Sequence, residues 1–195
     1  YDRTRHILEE TPMSRTLIST LAIAAGLALS TSAFGHALSV DKDAPAGGWH
    51  LVQIGIPHGC AGSATTGMRI RIPDGIFMVR PEVKAGWDLS MNMRTMEPPI
   101  TSEGVTYSTS VDEIIWRGGT LGNLEFDRFN FLALMPRKEH ETVYFLTIQE
   151  CEEGENKWVE VPEEGRSWGS YGHPAPFVKT GILAPRRAPA ETTAE

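Results

Sequence analysis

A chain of 195 residues has the length of one domain with room for extended ends, and it is long enough to bury a substantial core. With 18 Lys and Arg against 25 Asp and Glu its formal net charge is −7, and no basic run stands out. That balance argues against a nucleic-acid-binding protein.

Residues 1–12, YDRTRHILEETP, lie upstream of a suitable initiator, Met13, and make no sense as part of a leader. They are read as an extension that is not native. From Met13 to Gly35 the chain reads MSRTLISTLAIAAGLALSTSAFG. A short basic stretch with Arg15, an apolar run from Leu17 to Leu29 and a small-residue end are the layout of a secretory signal peptide. The apolar run is shorter than the roughly 20 residues that span a bilayer. Ala33 and Gly35 supply the small residues that a signal peptidase needs, so cleavage after Gly35 is expected. The mature chain then begins at His36, in the periplasm or outside the cell, with no stable membrane anchor. Arg3, Arg5 and Arg15 balance Asp2, Glu9 and Glu10, so the mature part carries the whole negative excess.

Beyond Leu38 the apolar-rich runs are short: WHLVQIGIP from Trp49, MRIRIP from Met68, WDLSMNM from Trp87, GVTYSTSVDEIIW from Gly104, FDRFNFLALMP from Phe126, TVYFLTIQEC from Thr142 and KWVEVP from Lys157. Each is bounded by Gly, Pro, Asn or Asp, the residues that punctuate strands. No window of a dozen residues carries helical apolar spacing. An all-β, antiparallel sandwich spanning 36–180 is therefore expected. The last residues, ending ILAPRRAPAETTAE, lack a strand pattern and read as a flexible tail over 181–195.

The two cysteines, Cys60 and Cys151, both fall in the exported part, where an oxidising compartment lets thiols pair. One long-range disulfide is the reading. Closing a loop of that length stabilises by roughly 4 kcal/mol in the chain-entropy treatment.

Cleavage before His36 would leave an α-amino group and an imidazole on one residue, a pair able to close a chelate ring on a metal ion. Nitrogen ligands favour late first-row metals, with Cu(II) the tightest divalent ion. The alternative is an ordinary surface histidine at a mobile end. Other candidates are His50, His58, His173 and the acidic run CEEGENKWVEV with Glu152, Glu153, Glu155 and Glu160; solvated loops or satisfied hydrogen bonds are their bland readings. Trp158 in that run either packs as core or lies over a cation by its π face. Met91, Met93 and Met96 offer soft thioethers suited to Cu(I), although Met91 and Met93 on one strand face read better as core filling. No nucleophile elbow, zinc-protease helix or phosphate loop occurs, and nothing in the residues argues for an enzyme.

Taken in order, HALSVDKDAPAGG, VQIGIPHGCAGSATT, IRIPDGI, VRPEVKAGWDL, IIWRGGTLGNLEFDRFNF, YFLTIQECEEGENKWVEVPEEG and HPAP resemble the YcnI-like domain of exported bacterial proteins, from about His36 to Lys179. The resemblance implies an immunoglobulin-like β-sandwich. It also implies a single Cu(II) held by the amine and ring of the mature N-terminal histidine, with a carboxylate and a tryptophan beside it. His36 takes the first role and Trp158 the tryptophan's. Glu155, the nearest motif carboxylate, takes the carboxylate's role as metal ligand, although Glu160 shares a strand face with Trp158. Copper homeostasis or delivery, with other periplasmic copper proteins as partners, is the implied function. The competing reading is a structural or interaction sandwich that binds metal only incidentally.

Overall fold

A computed structural model describes residues 35–102 and 104–183; the expected leader up to Phe34, the upstream extension and the tail beyond Leu183 lie outside the described residues. Within them the regular elements are strands and one 3-10 turn, Trp168–Ser170. One sheet joins β1 (Leu38–Ser39), β3 (Trp49–Ile56), β8 (Asp127–Leu134) and β5 (Phe77–Pro81) in the order β1-β3-β8-β5. A second has the order β11-β10-β4-β7-β6, built from β4 (Thr65–Arg71), β6 (Asp88–Ser102), β7 (Val105–Leu121), β10 (Thr147–Cys151) and β11 (Glu155–Trp158). A three-stranded sheet pairs β12 (Phe177–Leu183) with β2 (Asp43–Ala46) on one side and β9 (Thr142–Tyr144) on the other. The expected β-sandwich is the fold of this domain.

Strand alternation builds the core. In β3, His50, Val52, Ile54 and Ile56 point inward, and in β8 Phe129, Phe131 and Ala133 do the same. Met68 and Ile70 of β4, with Ile114 and Trp116 of β7, belong to the same buried cluster. Fully burying one such side chain contributes about 2 kcal/mol, so this alternating set outweighs any single surface contact. Trp116 packs edge-on against Phe129 at 5.5 Å between ring centres, and its indole N–H donates to Glu82 O at 3.1 Å.

Three elements depart from the sequence expectation. The run TVYFLTIQEC is two strands, because β9 pairs with β12 while β10 pairs with β4. Burial alternates through the join without a break, so a change of hydrogen-bonding partner leaves no trace in the side-chain pattern. The short edge strand β2 carries Pro45 and pairs in parallel with β12, a placement that spares proline's missing N–H from a central ladder. β12 runs on through Gly181–Leu183, into the stretch read as tail, because Leu183 finds a partner in Ala46.

The methionines also differ from expectation. Met91 and Met93 are exposed rather than core-filling. They lie on β6, which among the described residues is an edge strand paired with β7, and the register slips between Asn92 and Met93. β6 lies four strands from β11, about 19 Å at ordinary strand spacing. The thioethers therefore take no part in the group around Trp158.

His50 is buried in β3, and its Nε2 has no hydrogen-bond partner. Desolvation lowers its pKa, outweighing the opposite pull of Asp41 and Asp43. The unfolded chain thus takes up a proton near pH 6.5 that the folded chain still refuses, and stability must fall as pH drops below that value. Thermal unfolding of the wild type is expected to shift downward between about pH 7.5 and pH 5.5, with a shallower slope in His50→Leu.

Candidate metal centre

The loop after β3 is pinned from several directions. Pro57 follows the last residue of β3, and the Cys60–Cys151 disulfide ties the loop to the end of β10 with a Cα separation of 6.0 Å. The Ser63 hydroxyl donates to Glu153 O at 3.0 Å, and Glu152 N donates to Ala64 O at 2.9 Å. Glu152 and Glu153 therefore belong to the turn that holds this loop.

Beneath the loop lies Gln149, fully buried on β10. Its amide nitrogen donates to His58 O at 2.7 Å and to Thr65 Oγ1 at 2.8 Å. Its amide oxygen accepts from the Trp158 indole N–H at 3.0 Å and from Asn156 Nδ2 at 3.2 Å. Two donors and two lone pairs are all used. One side chain thus fixes the His58 loop and the Trp158 ring relative to each other. In Gln149→Leu the buried Trp158 N–H and the half-buried His58 carbonyl both lose their partner, at up to about 1 to 3 kcal/mol for each. Denaturant unfolding is expected to show a loss of about 3 kcal/mol for this variant.

Around the Trp158 indole stand three imidazoles. Ring-centre separations are 6.1 Å to His36, 6.2 Å to His58 and 5.1 Å to His173. His36 also meets Trp168 near-perpendicular, at 5.2 Å between ring centres. Its position follows from its neighbours: Ala37 is fully buried, and Leu38 and Ser39 pair with Gly55 and Ile54 of β3. Trp168 is held in the 3-10 turn by its indole N–H, which donates to Ala175 O at 2.7 Å. His173 is brought in by the segment beside β11: the Val159 and Glu160 amides both donate to His173 O, and the Glu160 carboxylate accepts the His173 N–H.

Of the residues singled out in the sequence, the fold brings together His36, Trp158, His58, His173 and Glu160. Glu155 stands apart. It is an odd number of residues from Trp158 on β11 and so faces the other side, where it is exposed and pairs with Lys157 at 2.8 Å. His50 lies opposite Ala133 in the β3–β8 ladder. Among the described residues, no three His, Cys, Asp or Glu side chains already converge on one point as a finished metal site. Trp168 and Gln149 were not singled out in the sequence. Gln149 had a signal, a polar residue at an inward position of TVYFLTIQEC; Trp168, outside any strand pattern, had none.

The sequence profile of a domain of unknown function, DUF1775, matches residues 36–180. The chain belongs to this family. The matched segment opens on His36 and contains every residue of the cluster and both cysteines. YcnI-like proteins carry this same domain. Among solved structures, an uncharacterised protein from Nocardia farcinica, described as having an immunoglobulin-like fold, is similar at 22% identity with a TM-score of 0.57. The likeness covers 75% of this chain and 98% of that one, and it is a likeness of fold. No curated protein matches the sequence.

Proposed function

We propose that this DUF1775 domain is an exported copper-binding protein that holds one Cu(II) through the amine and imidazole of a mature N-terminal His36 and serves copper homeostasis or delivery. The observation that carries the reading is the setting of His36. It stands near-perpendicular to two indole rings, with two further imidazoles on Trp158 and the Glu160 carboxylate beside His173. Imidazole, amine and carboxylate donors suit Cu(II), and aromatic walls limit the water that competes for the ion. Glu160 replaces Glu155 as the favoured carboxylate.

The Cys60–Cys151 disulfide favours an oxidising compartment, in keeping with export. Among the described residues no helix is long and apolar enough to cross a membrane. Copper is cargo in this reading, to be exchanged with other periplasmic copper proteins, and no catalytic role is assigned. Mass spectrometry of the exported protein, with metal analysis of the same sample, tests it. The expected result is a chain beginning at His36 that retains one copper ion. A chain beginning elsewhere would sink the chelate.

A further inference from the structure

We infer that His58 is a second imidazole ligand of the same ion, completing a three-nitrogen set with the amine and ring of His36. The inference rests on the copper reading above but assigns a residue that this reading does not require.

The observation is the position of the His58 ring. Its Nε2 is in hydrogen-bond contact with the carbonyl oxygen of Gly35, the residue removed by the expected cleavage. The other ring nitrogen, Nδ1, lies 2.5 Å from Gly59 O. Gly35 is packed closely here: a Cβ on it would come within 3.0 Å of Pro57 Cγ and 3.3 Å of His58 Cδ2.

Both ring nitrogens thus face carbonyl oxygens. In the neutral imidazole, the form that can ligate a metal, only one of these contacts can be a donated hydrogen bond and the other sets two lone pairs against each other, whereas an imidazolium would donate both. Removing Gly35 removes the conflict. Nδ1–H is then free to donate to Gly59 O, which fixes the tautomer and leaves the Nε2 lone pair directed at the vacated carbonyl position. A ligating histidine is commonly oriented this way, with its second nitrogen donating to a backbone carbonyl.

The new amine forms at the same place. Gly35 O and His36 N are bonded to one carbon and lie about 2.2 Å apart. The mature amine therefore starts one hydrogen bond plus that distance from His58 Nε2, a gap that small motions of a chain end can close to the separation of two nitrogens on one ion. His58 itself is held still, through its carbonyl on Gln149 and the disulfide two residues away. In the precursor the same ring is occupied by the Gly35 carbonyl, so cleavage both creates the amine and releases the imidazole.

The test uses the chain beginning at His36, loaded with one equivalent of Cu(II). Pulsed electron paramagnetic resonance counts coordinated imidazoles by the modulation from their remote nitrogens. Two are expected in the wild type and one in His58→Ala, with copper affinity at least about tenfold weaker in the variant. Unchanged melting of the copper-free variant checks that the fold is kept. Should the variant fail to fold, the wild-type count alone still decides. One imidazole in the wild type, or two persisting in His58→Ala, overturns the role of His58 while leaving the His36 chelate intact. A wild-type chain that binds no copper overturns both.

Discussion

A chain that keeps Ser32–Gly35 ahead of His36 loses copper affinity by at least about a hundredfold relative to a chain that starts at His36, close to 3 kcal/mol of binding free energy. The reason is elementary. In the extended chain the nitrogen of His36 belongs to a peptide bond and offers no basic lone pair, and the Gly35 carbonyl reoccupies His58 Nε2. The imidazole of His36 survives, but a lone imidazole makes no chelate ring. Competition titration against a Cu(II) chelator of known affinity reads the difference. His36→Ala, which keeps an amine and loses the ring, is expected to fall by a similar factor. An unperturbed α-amino group titrates at roughly 7.7 to 8, so copper must displace a proton from the mature chain near neutrality. Its affinity should weaken steadily as pH falls, whereas the weak residual binding of the extended chain should lack that amine-linked slope. Equal affinity in the two chains would contradict the role given to the N-terminus.

Replacing both cysteines, Cys60→Ser with Cys151→Ser, is expected to lower stability by about 4 kcal/mol. The bridge spans 91 positions, and most of its effect comes from the chain entropy it removes from the unfolded state. A second consequence is local. The disulfide holds the loop that carries His58 against the end of β10, so its loss should also loosen the Trp158 surroundings. Denaturant unfolding of the oxidised protein and the double variant measures the first effect, and Trp fluorescence in the native baseline reports the second. A loss below about 1 kcal/mol would contradict the chain-entropy account.

Strand positions were legible where burial alternates. In FDRFNFLALMP the apolar residues recur every second position, and Phe129, Phe131 and Ala133 all point inward. The disulfide was legible from compartment and cysteine number alone. What the side-chain pattern could not carry was pairing. Phe145 and Leu146 carry the chain from the β12 ladder to the β4 ladder within an unbroken alternation, and β2 is a strand because β12 is there to receive it.

The candidate site shows the same division. His36 and Trp158 were readable, one from the cleavage pattern and the other from the motif around it. Strand parity sets Glu155 off the Trp158 face, whereas Glu160, beyond the end of β11, is placed by its contact with the His173 amide. His58 could not be placed beside His36 from sequence, because a loop after β3 and a segment before β1 meet only through the β1–β3 ladder and the turn that follows it. Trp168 depends on a 3-10 turn that no periodicity announces.

The most direct measurement is a Cu(II) titration of the exported, cleaved protein followed by continuous-wave electron paramagnetic resonance at one equivalent. One tightly bound ion per chain, with a nitrogen hyperfine pattern that loses the amine contribution when Ser32–Gly35 are retained, is the expected result. Failure of a chain that begins at His36 to bind copper, or a spectrum indifferent to the N-terminus, would contradict it and leave this sandwich as an interaction module.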